Sequence, residues 1–102
     1  MKRKILDKIT RMRKELDDHQ KKINESSKLD KVFISAVKLS RELRELDEYL
    51  YQKKDMLSAE EYDNLTKLVN AIARVNEMQI DRLAKANIDN SIDINTLIKI
   101  RK

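Results

Sequence analysis

The chain contains neither glycine nor proline, and this absence constrains its fold more than any other feature. Glycine supplies the backbone of tight turns and phosphate-binding loops, and proline ends helices, so a chain without either favours long helices. Charged residues make up 40% of the sequence, and apolar residues recur at spacings of three and four. The sequence therefore predicts an all-α fold and argues against an active site built on loops.

The first predicted helix, residues 3–25, carries its apolar side chains four and three residues apart. Six positions follow this heptad spacing: Ile5, Ile9, Met12, Leu16, His19 and Ile23. His19 is the polar member, and we expect it to form a hydrogen bond in or beside the core rather than act as a general base. Polar residues at 24–28 predict a turn, with Asp30 as a candidate N-cap for the next helix.

The second predicted helix, residues 30–55, runs antiparallel to the first. Its apolar positions are Val32, Ala36, Leu39, Leu43, Leu46 and Leu50. The third, residues 59–86, begins with a capping box formed by Ser58 and Glu61. Its apolar residues cover a wider face than one neighbour requires, which predicts contact with both other helices. Asn76 falls on that face, and we favour a partly exposed asparagine over the alternative, a buried one that fixes register.

Residues 87–102 form a C-terminal tail. Its polar start is expected to break the third helix, and a short amphipathic segment with Ile94, Leu97 and Ile98 follows. This segment either docks on the bundle or binds a partner. The whole chain is thus predicted to be one domain, an antiparallel helical hairpin with a third helix packed across it as a three-helix bundle. So thin a bundle leaves apolar surface uncovered, and we expect self-association or a complex.

The residues that carry chemistry are few. The sequence has no cysteine and a single histidine, which leaves no cluster of metal ligands, and no nucleophile lies beside a base and an orienting group. We expect neither a metal nor a cofactor. No apolar run approaches the roughly 18 residues that a membrane span needs, so the default expectation is a cytoplasmic protein.

Positive charge is concentrated at the start of the chain. Seven basic residues there face a single acidic one: Lys2, Arg3, Lys4, Lys8, Arg11, Arg13 and Lys14. Such a segment can attract a phosphate backbone or an acidic protein surface. A helix-turn-helix motif, stacking aromatics and a zinc site are all missing from its surroundings.

One resemblance bears on function. Residues 5–16, followed by Ser-Arg-Glu-Leu-Arg-Glu-Leu-Asp at 40–47, resemble the small aspartyl-phosphatase family of sporulation regulators in spore-forming bacteria. Those proteins are helical hairpins with a Ser-Gln-Glu-Leu-Asp motif. The resemblance implies a protein that docks on a response regulator and removes its phosphate, with the motif aspartate essential. Aligning Ser40 with the motif serine puts Arg44 at the aspartate, whereas the second register puts Asp47 there and Leu43 at the serine.

Three functions follow from these patterns. The first is a non-catalytic interaction protein, a small regulator of bacterial or phage type that binds a partner protein. Its expected partner-binding residues are Leu39, Leu43, Leu46, Leu50, Ile94, Leu97 and Ile98. The first alternative is the auxiliary phosphatase, with Asp47 as its catalytic residue. The second is a basic oligomeric subunit that binds DNA or RNA through the seven residues of the first segment.

Overall fold

The structure, a computed structural model, describes residues 2–89, with side chains described for residues 2–86. This part of the chain consists of three helices, α1 (Lys2–Asn24), α2 (Leu29–Gln52) and α3 (Ala59–Asp89), with one turn of 3-10 helix at Lys54–Met56. No strand occurs among the described residues. The predicted all-α class and the number of helices are confirmed.

Each of the three helices packs against both others, as in a three-helix bundle. The α1–α2 connection is a short turn, so these two helices run antiparallel. Lys2 and Glu61 form a 3.0 Å ion pair, which places the start of α1 beside the start of α3. The helices α1 and α3 are therefore parallel, and α2 runs in the opposite direction. The predicted contact of α3 with two neighbours is confirmed.

The core has two clusters along the length of the bundle. The larger cluster joins the leucines of α2 to Ile5, Ile9 and Met12 of α1 and to Leu65 and Val69 of α3. The smaller cluster surrounds Phe33 at the other end. All six heptad positions predicted for α1 are buried. The heptad spacing alone therefore located the buried face of this helix.

Three polar side chains are also buried: His19, Asn76 and Gln79. His19 forms its expected hydrogen bond, since its Nε2 lies 2.9 Å from Ser35 Oγ. The preferred interpretation of Asn76 was wrong, because this residue is 1% exposed and donates a hydrogen bond from Nδ2 to the Ala36 backbone oxygen at 3.0 Å. The contact joins α2 to α3 at one position, which is the register-fixing alternative.

The ends of the helices differ in how well local signals located them. At α3, Ser58 Oγ accepts a hydrogen bond from the Glu61 amide at 3.0 Å, and Glu61 Oε1 accepts one from the Ser58 amide at 3.1 Å, which confirms the capping box. At α2, Asp30 lies in the first turn, and the N-cap is Lys28, which has a left-handed backbone (φ 51°) and no side-chain cap. The turn lacks glycine, so lysine takes a conformation that costs roughly 1–2 kcal/mol.

Two predicted boundaries were wrong. The α2 helix ends at Gln52, after which the chain continues into the 3-10 turn, and α3 extends past Ala86 to Asp89. Asparagine, isoleucine and aspartate each lower helix stability by less than about 0.7 kcal/mol, so residues 87–89 do not by themselves stop this helix. The amphipathic segment with Ile94, Leu97 and Ile98 lies outside the described residues.

Candidate protein-binding groove

The leucines expected to bind a partner are part of the core of the chain itself. Leu39, Leu43, Leu46 and Leu50 are all buried in the larger cluster, against side chains of α1 and α3. A partner cannot reach them in the folded bundle, which corrects this assignment. The reason is that α3 covers the same face of the hairpin that the leucine spacing marked as apolar.

An apolar stripe on α3 is left uncovered instead. It consists of Leu68, Ala71, Val75 and Met78, of which Leu68, Val75 and Met78 are 38%, 43% and 67% exposed. These residues are three or four positions apart, so their side chains follow one line along the helix. The stripe lies beside the buried face of α3.

Leu68, Ala71 and Val75 of the stripe form one wall of a groove between α1 and α3, and Met78 continues the stripe beyond this wall. The opposite wall consists of Arg13, Asp17 and Gln20 of α1. Leu16 and Ile72 form the floor, and the groove has a volume of about 400 Å³. It combines an apolar floor and wall with a polar rim, which is the composition of a surface that receives an amphipathic helix.

Gln79 holds the two walls of the groove together. Its Nε2 donates a hydrogen bond to the Leu16 backbone oxygen at 3.1 Å and approaches Gln20 Oε1 at 3.4 Å. The side chain is buried, and its Oε1 has no hydrogen-bond partner among the described residues. This polar link between α1 and α3 fixes the width of the groove near one end.

The charges on the rim are available for a partner. Arg13 and Asp17 are both exposed, and neither forms an ion pair within residues 2–86. The neighbouring Arg11 is bound instead, to Glu15 at 2.8 Å and to Glu42 of α2 at 2.6 Å. The groove therefore presents one positive and one negative side chain without an internal counter-ion.

Asp47, the residue that the phosphatase resemblance would make essential, is exposed on α2. It lines a smaller, polar groove of about 210 Å³ between α2 and α3, together with Ser40, Arg44, Asn70 and Glu77. The guanidinium of Arg44 and the carboxylate of Glu77 thus line the same groove as Asp47.

The seven basic residues of the first segment do not form one continuous surface. Lys2 is paired with Glu61, and Arg11 with two glutamates. Lys4 and Lys8 line a groove against Glu45 and Tyr49 of α2. Arg13 belongs to the groove on the opposite side of α1, whereas Arg3 and Lys14 are exposed.

Other kinds of site find no support in the part of the chain that the structure describes. Within it, no group of histidine, cysteine, aspartate or glutamate side chains could hold a metal ion. None of the described helices has the length and apolar character required to cross a bilayer. Comparisons with protein-family models, with curated proteins and with solved structures gave no match.

Leu68 and Val75 share the three-and-four spacing of the other apolar residues of α3, so the spacing predicts that both are buried, whereas both are exposed. A signal was present, since residues 68, 71, 75 and 78 form a heptad pattern of their own beside that of Leu65, Ile72 and Gln79. Two adjacent patterns on one helix indicate two partners. One pattern packs against the hairpin, and the other is exposed among the described residues.

Proposed function

We propose that the protein is a non-catalytic helical interaction protein whose groove between α1 and α3 receives a helix of a partner. The observation that carries this proposal is the exposed stripe of Leu68, Ala71, Val75 and Met78 on a helix whose other large apolar residues, within the described side chains, are buried or partly buried in the core. An amphipathic helix binds such a surface through apolar side chains three and four positions apart.

The dimensions of the stripe suit a helix of moderate length. From residue 68 to residue 78 the stripe extends about 15 Å along α3, which is about three turns. Apolar side chains in the middle of the contact would contribute most of the affinity, since hot spots lie where water is excluded. Arg13 and Asp17 on the rim would select orientation rather than add affinity, because rim charges act mainly through steering and register.

The proposal is tested by placing a photo-cross-linking amino acid at Met78 in cells that naturally make the protein. Met78 ends the stripe and tolerates replacement because it is largely exposed. The matched control carries the same amino acid at Arg41, which is exposed on α2. Each cross-linked protein is identified by mass spectrometry and titrated as a purified component. We expect the identified protein to bind directly and Val75→Glu to abolish this binding. Equal adducts at Met78 and Arg41, or no adduct at either position, contradict the proposal.

The geometry of the described residues favours the two alternative functions to different degrees. The auxiliary phosphatase gains some support from the exposed carboxylate of Asp47, which a response regulator could reach. Nucleic-acid binding through the first segment gains less. Its basic side chains divide between two sides of α1, and two of them are already paired with carboxylates.

A further inference from the structure

We propose that the helix in the groove is α3 of a second copy of this chain, running antiparallel to the first α3 about a two-fold axis. The inference rests on the proposed function, since it names the partner that the groove receives. An isologous contact of this kind requires that one patch be complementary to itself. The α3 stripe and its margins meet that requirement in size and in charge.

Side-chain size is complementary about an axis that passes between Ala71 and Val75. In the antiparallel arrangement, Ala71 faces Val75 of the second copy, and Leu68 faces Met78. A small residue opposite a larger one at the centre allows the two helix backbones to approach closely, and the two long side chains fill the space at each end. The apolar contact is thus continuous over the whole stripe.

Charges on the outer margin of α3 favour the antiparallel direction. Lys67 is placed near Asp81 of the second copy, and Glu60 near Lys85. The two-fold axis repeats each pair. In a parallel arrangement the two-fold axis would run along the helices and place this outer margin against the opposite, α1 side of the second α3, so neither of these pairs could form. On this margin, Arg74 lies beside the axis and faces its own copy in the antiparallel form.

The present state of these margin residues permits the new pairs. Lys67 is bound to Asp63 at 3.0 Å, but both side chains are more than half exposed, so this pair is weak and can exchange. Asp81 and Lys85 are exposed and form no ion pair within residues 2–86. The margin can therefore change partners without breaking a buried contact.

The α1 side of the contact repeats the same complementarity. The two-fold axis places both copies of α1 on one side of the α3 pair. Arg13 of each copy then lies toward Asp17 of the other, in two equivalent pairs. These are the rim charges that form no ion pair within residues 2–86.

The contact is large enough for a stable dimer. The fold is a rod of 48 × 26 × 17 Å, so it has a long side to offer. From Glu60 to Lys85, α3 extends about 39 Å, and the width of two helices is about 20 Å. The product, about 800 Å² on each copy, is the facing area and the upper limit of the contact, and it equals the usual size of a specific interface.

The first test is the mass of the full chain in solution, measured by sedimentation equilibrium over a range of concentrations. We expect a dimer, and we expect Val75→Glu to be monomeric with unchanged helical circular dichroism. Met56→Glu is the matched control, since Met56 is also an exposed apolar residue but lies outside the groove. A dimer that Val75→Glu leaves intact overturns the proposal.

A charge-reversal pair tests the arrangement without altering the stripe. Lys67→Glu should raise the dimer dissociation constant at least severalfold, and the double variant Lys67→Glu/Asp81→Lys should restore it. The two positions are far apart on one α3, so restoration reports a contact between copies. Equal weakening in the single and double variants contradicts the proposed register, even if Val75→Glu proves unstable.

Cysteine cross-linking tests the direction, because the chain has no cysteine of its own. When the Ala71→Cys and Val75→Cys chains are mixed, a disulfide between residues 71 and 75 of different chains should form fast. Each variant alone should form its 71–71 or 75–75 disulfide more slowly. Faster symmetric cross-linking would show a parallel pair and overturn the inference.

A chain that stays monomeric overturns the second-copy inference but not the proposed function. The cross-link from Met78 then shows which of the remaining candidates occupies the groove. An adduct to another protein identifies a foreign helix, and an adduct to residues 90–102 of the same chain identifies the tail.

Discussion

Nδ2 of Asn76 lies 3.0 Å from the Ala36 backbone oxygen and donates a hydrogen bond to it inside the contact between α2 and α3. Asn76 is buried, and its Oδ1 has no hydrogen-bond partner among the described residues. The Nδ2 of this side chain therefore has a hydrogen-bond partner, and among the described residues its Oδ1 has none. A buried acceptor without a partner costs free energy, whereas the bond to Ala36 recovers part of it.

A series of substitutions at Asn76 measures how the hydrogen bond and the unpaired oxygen together affect stability. Asn76→Leu should be neutral or raise the free energy of unfolding, because an apolar side chain of similar volume removes the unpaired oxygen. Asn76→Ala should lower it by about 1–3 kcal/mol through the loss of the hydrogen bond and the cavity that remains. Asn76→Asp should lower it further, since a carboxylate would face the Ala36 oxygen. Urea unfolding measures all three, and Asn70→Leu, at an exposed position on the same helix, is the control.

His19 makes stability depend on pH. Burial lowers the pKa of His19 below its ordinary value of 6.5, against the opposing influence of Glu15 and Asp18, while the nearby Lys22 lowers it slightly more. The unfolded chain then binds a proton near pH 6.5 that the folded chain binds only at lower pH. Stability from the neutral ring is present above pH 6.5 and is lost as the pH falls through the lowered pKa.

The expected result is a lower urea midpoint at pH 5.5 than at pH 7.5 (both about one unit from 6.5). His19→Gln should reduce this difference, because glutamine can bond Ser35 but does not titrate. The pKa of Glu61 is lowered by the Ser58 amide and then by Lys2, so its contribution is lost below 4.5, outside this range. An unchanged pH dependence in His19→Gln would show that another group is responsible.

The capping box at Ser58 should have a measurable effect on stability. Ser58→Ala removes the oxygen that accepts the Glu61 amide, which is expected to lower the free energy of unfolding by about 1 kcal/mol. Glu61→Gln is the comparison, because it keeps the reciprocal acceptor for the Ser58 amide and loses the ion pair with Lys2. Thermal unfolding of Ser58→Ala, of Glu61→Ala and of their double variant measures the coupling of the two hydrogen bonds, and Glu61→Gln controls for the lost ion pair. Additive effects would argue against a reciprocal cap.

Asp47 separates the interaction protein from the phosphatase. We expect Asp47→Ala to leave helical circular dichroism and the dissociation constant of the dimer unchanged, because its carboxylate is exposed and lies outside the groove between α1 and α3. The decisive assay follows the lifetime of a phosphorylated response regulator. A shorter lifetime with wild-type protein and with Glu48→Ala, but not with Asp47→Ala, would establish the phosphatase.

Nucleic-acid binding predicts a different dependence. Neutralising one side chain that binds a phosphate should reduce the slope of log affinity against log salt by about 0.9. Because the basic side chains are dispersed, we expect no retention of a generic DNA duplex at moderate salt in an electrophoretic assay. Retention of the duplex would contradict this expectation if Arg3→Gln/Lys14→Gln abolishes it and Lys38→Gln, at an exposed position on α2, does not.

Features that depend on neighbours within one or two turns could be predicted from the order of residues alone. The Ser58 and Glu61 cap, the buried face of α1 and the hydrogen-bonded His19 were all predicted, because a cap involves adjacent amides and a heptad spacing defines a face of a single helix. The predicted ends of α2 and α3 were less accurate, because helix stability changes little across residues such as Asn87.

The packing of the three helices determines which apolar faces are covered. Leu43 and Val75 both lie on apolar stripes, yet Leu43 is buried and Val75 is exposed. The reason is that α3 covers the apolar face of the hairpin, whereas within residues 2–89 α1 and α2 cover one side of α3. The burial of Asn76 has the same origin, since its position faces Ala36 only once α2 and α3 have packed. These outcomes depend on how helices distant in sequence pack against each other. The apolar spacing within one helix carries no information about that packing.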